Sequence, residues 1–190
     1  MDAAHLSRIY LAKATAELAE ADALLPGSEK VRCRGAVIAV AVLVCGEPEP
    51  SDAETGEALS GPVGEAASRA LEALDVHADS VLVVCSRPVD SAAEARARRL
   101  ERVVESADPE VVIALDPLAA EDVAAACGLE RLAAGRPVRW RGRAVGSVGD
   151  LGASLADTSL KAGVWSAFRA IIREGASPTV AKGPRSRPAS

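Results

Sequence analysis

The sequence has few aromatic residues and little cysteine patterning. Its 190 residues include one Tyr, one Phe and two Trp, and we expect Trp165 and Phe168, which share one helical face, to lie in the core. No C-x-x-C pair occurs among the four cysteines. That spacing favours free thiols in a reducing cytoplasm over a disulfide framework or a metal site. We therefore expect a cytoplasmic location and no metal or cofactor.

Long apolar runs and a surplus of basic charge are also missing. The longest apolar run, residues 36–45, has the length of a buried strand rather than a membrane span. The first residues show no basic region followed by an apolar core, so we expect no signal peptide and no membrane partner. The net charge is −5, which argues against tight, non-specific binding to nucleic acid.

The charges that are present are unevenly distributed. Residues 47–79 contain nine acidic residues and one base, Arg69, a balance of −8. Residues 131–143 contain five arginines and no acid. This arginine arm is interpreted either as a phosphate-binding surface or as an ion-paired segment facing the acidic residues 47–79. The candidates for contact with nucleic acid are Arg136, Arg139, Arg141 and Arg143.

Helical and apolar segments alternate along the chain. Helical patterns cover residues 3–25, 65–74, 91–107, 117–127 and 158–174, and strand patterns cover 35–45, 80–86, 110–116 and 143–148. Residues 46–64 are predicted to be a long loop, and residues 135–148 a hairpin-like arm that ends in the last strand. Uniformly apolar strands between helices predict an α/β protein: a three-layer α/β/α sandwich around a central four-stranded parallel sheet. We predict one domain over residues 1–174 and a flexible basic tail over 175–190.

In such folds, ligands bind outside the carboxyl ends of the strands, and several short motifs fall there in this sequence. Together they resemble the iron–sulfur-cluster, family-four-like branch of the uracil-DNA glycosylase superfamily, over about residues 37–172. The motifs are Gly46-Glu47-Pro48-Glu49-Pro50, Gly61-Pro62-Val63-Gly64, Cys85-Ser86-Arg87-Pro88, Val112-Ile113-Ala114-Leu115, Trp140-Arg141-Gly142-Arg143 and Leu160-Lys161 with Val164-Trp165.

The resemblance implies a fold and a chemistry. A glycosylase flips a base into a pocket, stacks it on an aromatic ring and reads its edge with an amide. The position of the aromatic ring falls near Leu59 or Ser60, and that of the amide falls at Val81. The family's histidine, which stabilises the departing base anion, corresponds to Asp150, where a carboxylate would repel that anion. Glu47 corresponds to the family's water- or substrate-organising residue. Of the cluster ligands only Cys85 is matched, so we expect no iron–sulfur cluster.

Three functions remain open from the sequence. The first is a degenerate glycosylase-like protein of DNA-repair ancestry, with lost or much weakened base excision and weak contact with DNA. The second is a non-enzymatic scaffold that binds a protein partner through the 3–25 helix or the acidic segment 47–79. The third is a glycosylase of altered substrate that uses Glu47 and Asp150 as catalytic residues. The candidate pocket-loop residues are Gly46, Pro48, Leu59, Val81, Cys85 and Arg87.

Overall fold

The computed structural model describes residues 3–176. Within that range the helices and strands alternate after an N-terminal helix. The helices are α1 (Ala3–Ala23), α2 (Pro50–Thr55), α3 (Pro62–Glu72), α4 (Ala93–Ala107), α5 (Pro117–Ala126), α6 (Leu151–Ala156) and α7 (Lys161–Ala176). The strands are β1 (Arg34–Gly35), β2 (Ala41–Cys45), β3 (Val81–Cys85), β4 (Val111–Ala114), β5 (Val138–Trp140) and β6 (Arg143–Ser147).

All six strands form one sheet in the order β1-β3-β2-β4-β6-β5. β3, β2, β4 and β6 run parallel to one another, whereas β1 pairs antiparallel with β3 and β5 pairs antiparallel with β6 at the two edges. The α/β class is confirmed. The sheet differs from the predicted four-stranded parallel one because it is mixed and has six strands. β1 has only two residues, too few for an alternating pattern to reveal it, and β5 lies in the predicted hairpin-like arm, which the prediction did not count as a strand of the sheet.

The core lies on both faces of the sheet. On one face, Leu43, Val83 and Ile113 pack with α3, α6 and α7. On the other face, Val42 and Val84 pack with α1, α4 and α5. Every residue of β2, β3 and β4 is buried, which explains their continuous apolar sequences.

Two core predictions on α7 have different outcomes. Phe168 is 1% exposed and belongs to the core, as predicted. Trp165 is 37% exposed, so its predicted core position is wrong. A position three residues away on a helix lies at the margin of the same face, where a large indole reaches solvent.

Several helix boundaries differ from the predicted ones, two of them because a proline begins the helix. Residues 46–64, predicted to be a single loop, contain α2, which begins at Pro50 after a capping box formed by Glu49 and Asp52. Another proline, Pro62, begins α3 three residues earlier than predicted. α7 continues to Ala176, past the predicted domain end at residue 174. Residues 177–190 of the predicted tail lie outside the described residues. No helix between residues 3 and 176 is long and apolar enough to span a membrane.

Candidate functional site

The order of the parallel strands identifies the part of the sheet where a ligand crevice is expected. β3 lies on one side of β2 in the sheet, and the chain then crosses over β2 to form β4 on its other side. The direction in which strands are added therefore reverses between β2 and β4. Ligands of open α/β sheets bind outside the carboxyl ends of such a strand pair. The two segments that leave these strands begin at Gly46 and Leu115.

The side chain of Asp116 closes this crevice. Its Oδ2 accepts a hydrogen bond from the Gly46 backbone N at 2.7 Å, and its Oδ1 accepts one from Ala119 N at 2.8 Å, capping α5. Gly46 is buried, and a Cβ there would lie 2.6 Å from Leu118 Cβ. The backbone N–H groups of Gly46 and Ala119, which could otherwise hold an anion at this point, are thus already bonded to Asp116. The sequence places Asp116 and Pro117 in a loop at the start of a helix, but it does not indicate that the Asp116 side chain bonds to Gly46.

Glu47, one of the two predicted catalytic carboxylates, is exposed next to this closed crevice. Within the described chain it makes no hydrogen bond or ion pair. Its neighbour Glu49 is half-buried, and its Oε2 is buried without a hydrogen-bond partner among residues 3–176. Burial, followed by the nearby Asp52 carboxylate, raises the pKa of Glu49. The carboxylate of this loop with a perturbed environment is therefore Glu49 rather than Glu47.

Asp52 holds the 46–64 segment in place. Its side chain is fully buried and accepts hydrogen bonds from Glu49 N at 3.0 Å, from Ser60 N at 2.7 Å and from Ser60 Oγ at 2.9 Å. Part of the negative charge counted over residues 47–79 therefore points into the protein. The acidic surface that this segment presents is smaller than its sequence suggests.

Asp150, the other predicted catalytic carboxylate, caps a helix. Its Oδ1 accepts a hydrogen bond from Ala153 N at 2.7 Å at the start of α6. β4 lies between β2 and β6, so the strand ends that precede Glu47 and Asp150 are about 10 Å apart. The two carboxylates share an edge of the sheet, but no hydrogen bond joins them.

The pocket-loop prediction for Cys85 and Arg87 is only partly matched by the structure. Both lie at the carboxyl end of β3, but neither side chain points to an open site. The buried Cys85 Sγ donates to the Gly46 carbonyl oxygen at 3.0 Å. Cys85 also lies beside Cys45 in the parallel register, and a hydrogen bond with Cys85, followed by burial, raises the pKa of Cys45.

Arg87 binds a buried carboxylate. Its Nε and Nη2 donate to the two oxygens of Asp122 at 2.7 and 3.1 Å. Asp122 is 4% exposed and also accepts from Ser86 Oγ at 2.8 Å and from Arg96 Nε at 3.2 Å. Burial acts to raise the pKa of Asp122, but the bonds from Arg87, Ser86 and Arg96 outweigh it and hold that pKa below its usual value. This polar cluster stabilises the junction of β3, α4 and α5.

A second buried arginine connects α1 to the same strand end. Arg99 is fully buried, and its Nε and Nη2 donate to Asp22 Oδ1 at 3.0 and 2.8 Å. Its Nη1 donates to the Cys85 carbonyl oxygen at 2.8 Å. The available sequence signal was its spacing: Val103 lies four residues later, which places Arg99 on the apolar face of α4.

Leu59 and Val81 lie together, but not at the carboxyl edge of the sheet. Val81 is the first residue of β3, about 13 Å from the strand's last residue. Leu59 is 2% exposed and has a left-handed backbone, φ 52°. Both line an apolar cavity between α3 and the sheet, whose walls include neither Glu47 nor Asp150. The predicted pocket residues are therefore divided between two places.

The arginine arm is ion-paired, but its partners are not residues 47–79. Arg141 contacts Glu101 at 2.9 Å and Glu105 at 2.8 Å, both on α4. Arg143 contacts Glu105 at 3.4 Å and Asp108 at 2.6 Å. The prediction that the arm faces the acidic residues 47–79 is thus wrong, because β5 and β6 lie on the side of the sheet where α4 ends.

The remaining two candidates of the arm differ from each other. Arg139 contacts Glu174 of α7 at 2.8 Å. Arg136 is exposed and makes no ion pair within residues 3–176. Only part of the arm therefore presents uncompensated positive charge.

The described cysteines do not fit an iron–sulfur cluster. Cys45 and Cys85 lie in the core on the α3 side of the sheet, whereas Cys33 and Cys127 pack on the opposite side. Such a cluster needs four thiolates around one point. No group of three or more His, Cys, Asp or Glu side chains between residues 3 and 176 is arranged to hold a metal ion.

Comparison with known proteins found no matching family model and no matching curated protein. The resemblance to the glycosylases therefore depends on the motifs of the chain itself.

Proposed function

We propose that this chain is a uracil-DNA glycosylase-like protein of DNA-repair ancestry whose base-excision activity is lost or much weakened. Two features support the relationship: the order of the motifs along the chain and the parallel strands at whose ends the Gly46, Cys85 and Asp150 loops lie. The loss of excision rests chiefly on Asp150, whose carboxylate caps α6 at the position of the catalytic histidine.

The chemistry of excision explains why this observation matters. The departing base carries negative charge, and a glycosylase must place a hydrogen-bond donor or positive charge beside it. A capping carboxylate contributes the opposite charge. Glu47 cannot compensate, because its exposed side chain has no partner in the described chain that would orient it towards a water or a substrate.

An excision assay tests the proposal. Single-stranded oligonucleotides carrying uracil, hypoxanthine or xanthine should yield no abasic product above that of a buffer blank. Glu47→Ala should behave as the unmodified protein does, and so should Glu54→Ala, a matched change at an exposed carboxylate of α2. Excision that is lost in Glu47→Ala and retained in Glu54→Ala would overturn the proposal and support a glycosylase of altered substrate.

Contact with DNA should be weak and should depend on the unpaired part of the arginine arm. Arg136 is exposed and unpaired among the described residues, whereas Arg141 is held by Glu101 and Glu105. Because a paired arginine releases few counterions on binding, Arg136→Ala should lower low-salt DNA affinity more than Arg141→Ala. The opposite order would show that the ion pairs open on DNA.

A second candidate, a protein-interaction module, is favoured by the surface of α1. Leu6, Ile9 and Tyr10 are 37%, 49% and 62% exposed, and their i, i+3, i+4 spacing places them on one stripe. The adjacent groove between α1 and α4 is lined by four glutamates that are already ion-paired: Glu17 with Lys13, Glu20 with Arg102, and Glu101 and Glu105 with Arg141. The unpartnered feature of this surface is therefore its apolar stripe, which suits a partner segment that carries a matching apolar stripe.

Cross-linking tests this candidate. A photoreactive phenylalanine in place of Tyr10 should capture an apolar segment of one protein, and Ile9→Glu, which places a charge in the apolar stripe, should reduce the capture. The same group in place of Glu54, on a different helix, is the control. Equal capture from both positions, or capture of this chain alone, would contradict this candidate.

A further inference from the structure

The cavity beside Leu59 and Val81 has the features of a small-molecule site. Its volume is about 150 Å³, and an apolar cavity of that size is large enough to bind benzene. Six buried aliphatic side chains, from β2, β3, α3 and the loops before and after α3, form most of its wall. They are Leu43, Leu59, Leu71, Val76, Val81 and Val83.

One charged side chain lines this cavity. Arg34 enters from the edge strand β1, and its Nη2 donates to the Leu59 carbonyl oxygen at 3.0 Å. Its Nε is buried and has no hydrogen-bond partner in the described chain, and Arg34 makes no ion pair with residues 3–176. A buried guanidinium N–H without an acceptor is costly, and a carboxylate is the acceptor that best matches its geometry.

The wall beside Arg34 is held by close backbone packing. Leu59 has a left-handed backbone, φ 52°, which is unfavourable for a leucine. A Cβ on Gly64 would lie 1.9 Å from the Leu59 carbonyl oxygen, so only glycine permits this approach of α3. Strained residues that the surrounding structure enforces are common at ligand sites. Here the strain points the Leu59 carbonyl at the guanidinium and the side chain into the core.

We propose that this cavity binds a small monocarboxylate whose apolar body is about the size of a benzene ring. The ring occupies the space between α3 and the sheet, and the carboxylate pairs with the guanidinium of Arg34, the one charged residue of the lining. Gly35 and Ala78, the exposed members of the lining, mark the entrance. This site is independent of the proposed loss of base excision, which concerns the opposite ends of the strands.

Benzoate is the probe, with benzyl alcohol and uracil as comparison ligands. Calorimetry and amide chemical shifts of the full chain should show saturable binding of benzoate at one site that includes Val76 and Val81. Benzyl alcohol, which has the same ring without the charge, should bind about tenfold or more weakly. Uracil should not compete with benzoate, because the lining offers its polar edges few partners.

Two variants with a control separate recognition from folding. Arg34→Met should weaken benzoate binding about tenfold or more while leaving benzyl alcohol unchanged; Arg32→Met, at an exposed arginine two residues earlier, should change neither. Should Arg34→Met fail to fold, Ser68→Leu fills the cavity from the half-buried face of α3 and should abolish benzoate binding. Equal affinity for benzoate and benzyl alcohol, competition by uracil, or no binding would each overturn the proposal.

Discussion

Removing the Asp122 carboxylate should cause a large loss of stability. Asp122 accepts four hydrogen bonds, from Ser86, from both donating nitrogens of Arg87 and from Arg96. The side chains of Arg87 and Arg96 are only 20% and 15% exposed, so water cannot replace the lost acceptor fully. Asp122→Ala therefore leaves two largely buried cations and one buried hydroxyl without their shared partner.

The expected size follows from this burial. Removing one partner of a buried ion pair costs about 3–5 kcal/mol, which for a chain of this length lowers Tm by about 6–20 °C. Glu121→Ala is the matched control, because Glu121 contacts the same Arg87 but its side chain is 69% exposed. An exposed pair contributes less than about 1 kcal/mol. Asp122→Asn, which keeps an acceptor oxygen without the charge, should fall between the two.

Urea unfolding followed by circular dichroism measures both variants, with an unchanged m-value as the condition for comparison. The pH dependence provides an independent check. Because the folded pKa of Asp122 is lowered, its contribution is complete above its unfolded pKa and is lost as pH falls through the folded value. That acid-dependent loss should disappear in Asp122→Asn. The reasoning is refuted if Asp122→Ala and Glu121→Ala differ by less than about 1 kcal/mol.

Three further outcomes are expected. Gly64→Ala should destabilise the chain by about 3 kcal/mol or more in urea unfolding, because its Cβ would meet a backbone carbonyl oxygen at 1.9 Å. The control Gly163→Ala has open space around its Cβ and should stabilise α7 by about 0.5–1 kcal/mol. A similar loss of stability in both variants would contradict this. Asp75→Gly should stabilise by up to about 1 kcal/mol, since Asp75 is left-handed with φ 61°; a Tm below that of the unmodified chain would refute it. Burial, as the largest cause, raises the pKa of Cys33 to about 11 and that of Cys127 to about 12. Alkylation of both thiols at pH 8 should therefore be about 100-fold or more slower in the folded chain than in the chain unfolded by urea. Equal rates in the two states would show that the environment of these thiols is open.

Much of the fold could be predicted because burial on both faces leaves a strong trace in the sequence. β2, β3 and β4 are buried throughout and read as continuous apolar runs. α4 and α5 end or begin at Asp-Pro pairs, which restrict the backbone locally. β5 was indicated by the hairpin-like arm predicted at residues 135–148, whereas β1 leaves no such trace, since a strand of two residues is defined by the neighbour it pairs with.

The candidate site was less predictable, because what a charged side chain does depends on its partner. Asp150 capping α6 is a local contact, three residues long, that the sequence could have indicated. The contact of Arg87 with Asp122 joins residues 35 positions apart, and that of Arg99 with Asp22 joins residues 77 apart. Sequence patterns do not identify such pairs, so Arg87 was assigned to a pocket and Arg99 was overlooked.

By itself, then, the sequence determined which segments form buried strands and which form helices, because hydrophobic periodicity and proline act over a few residues. Only the tertiary structure decided which charged side chains form ion pairs and which do not. It paired most of the arginine arm with acids on α4 and α7, closed the β2–β4 crevice with Asp116, and left the Arg34 guanidinium facing an apolar cavity. Those outcomes depend on how helices and strands distant in the chain pack against one another, which fixes the distance between charges and the solvent around them.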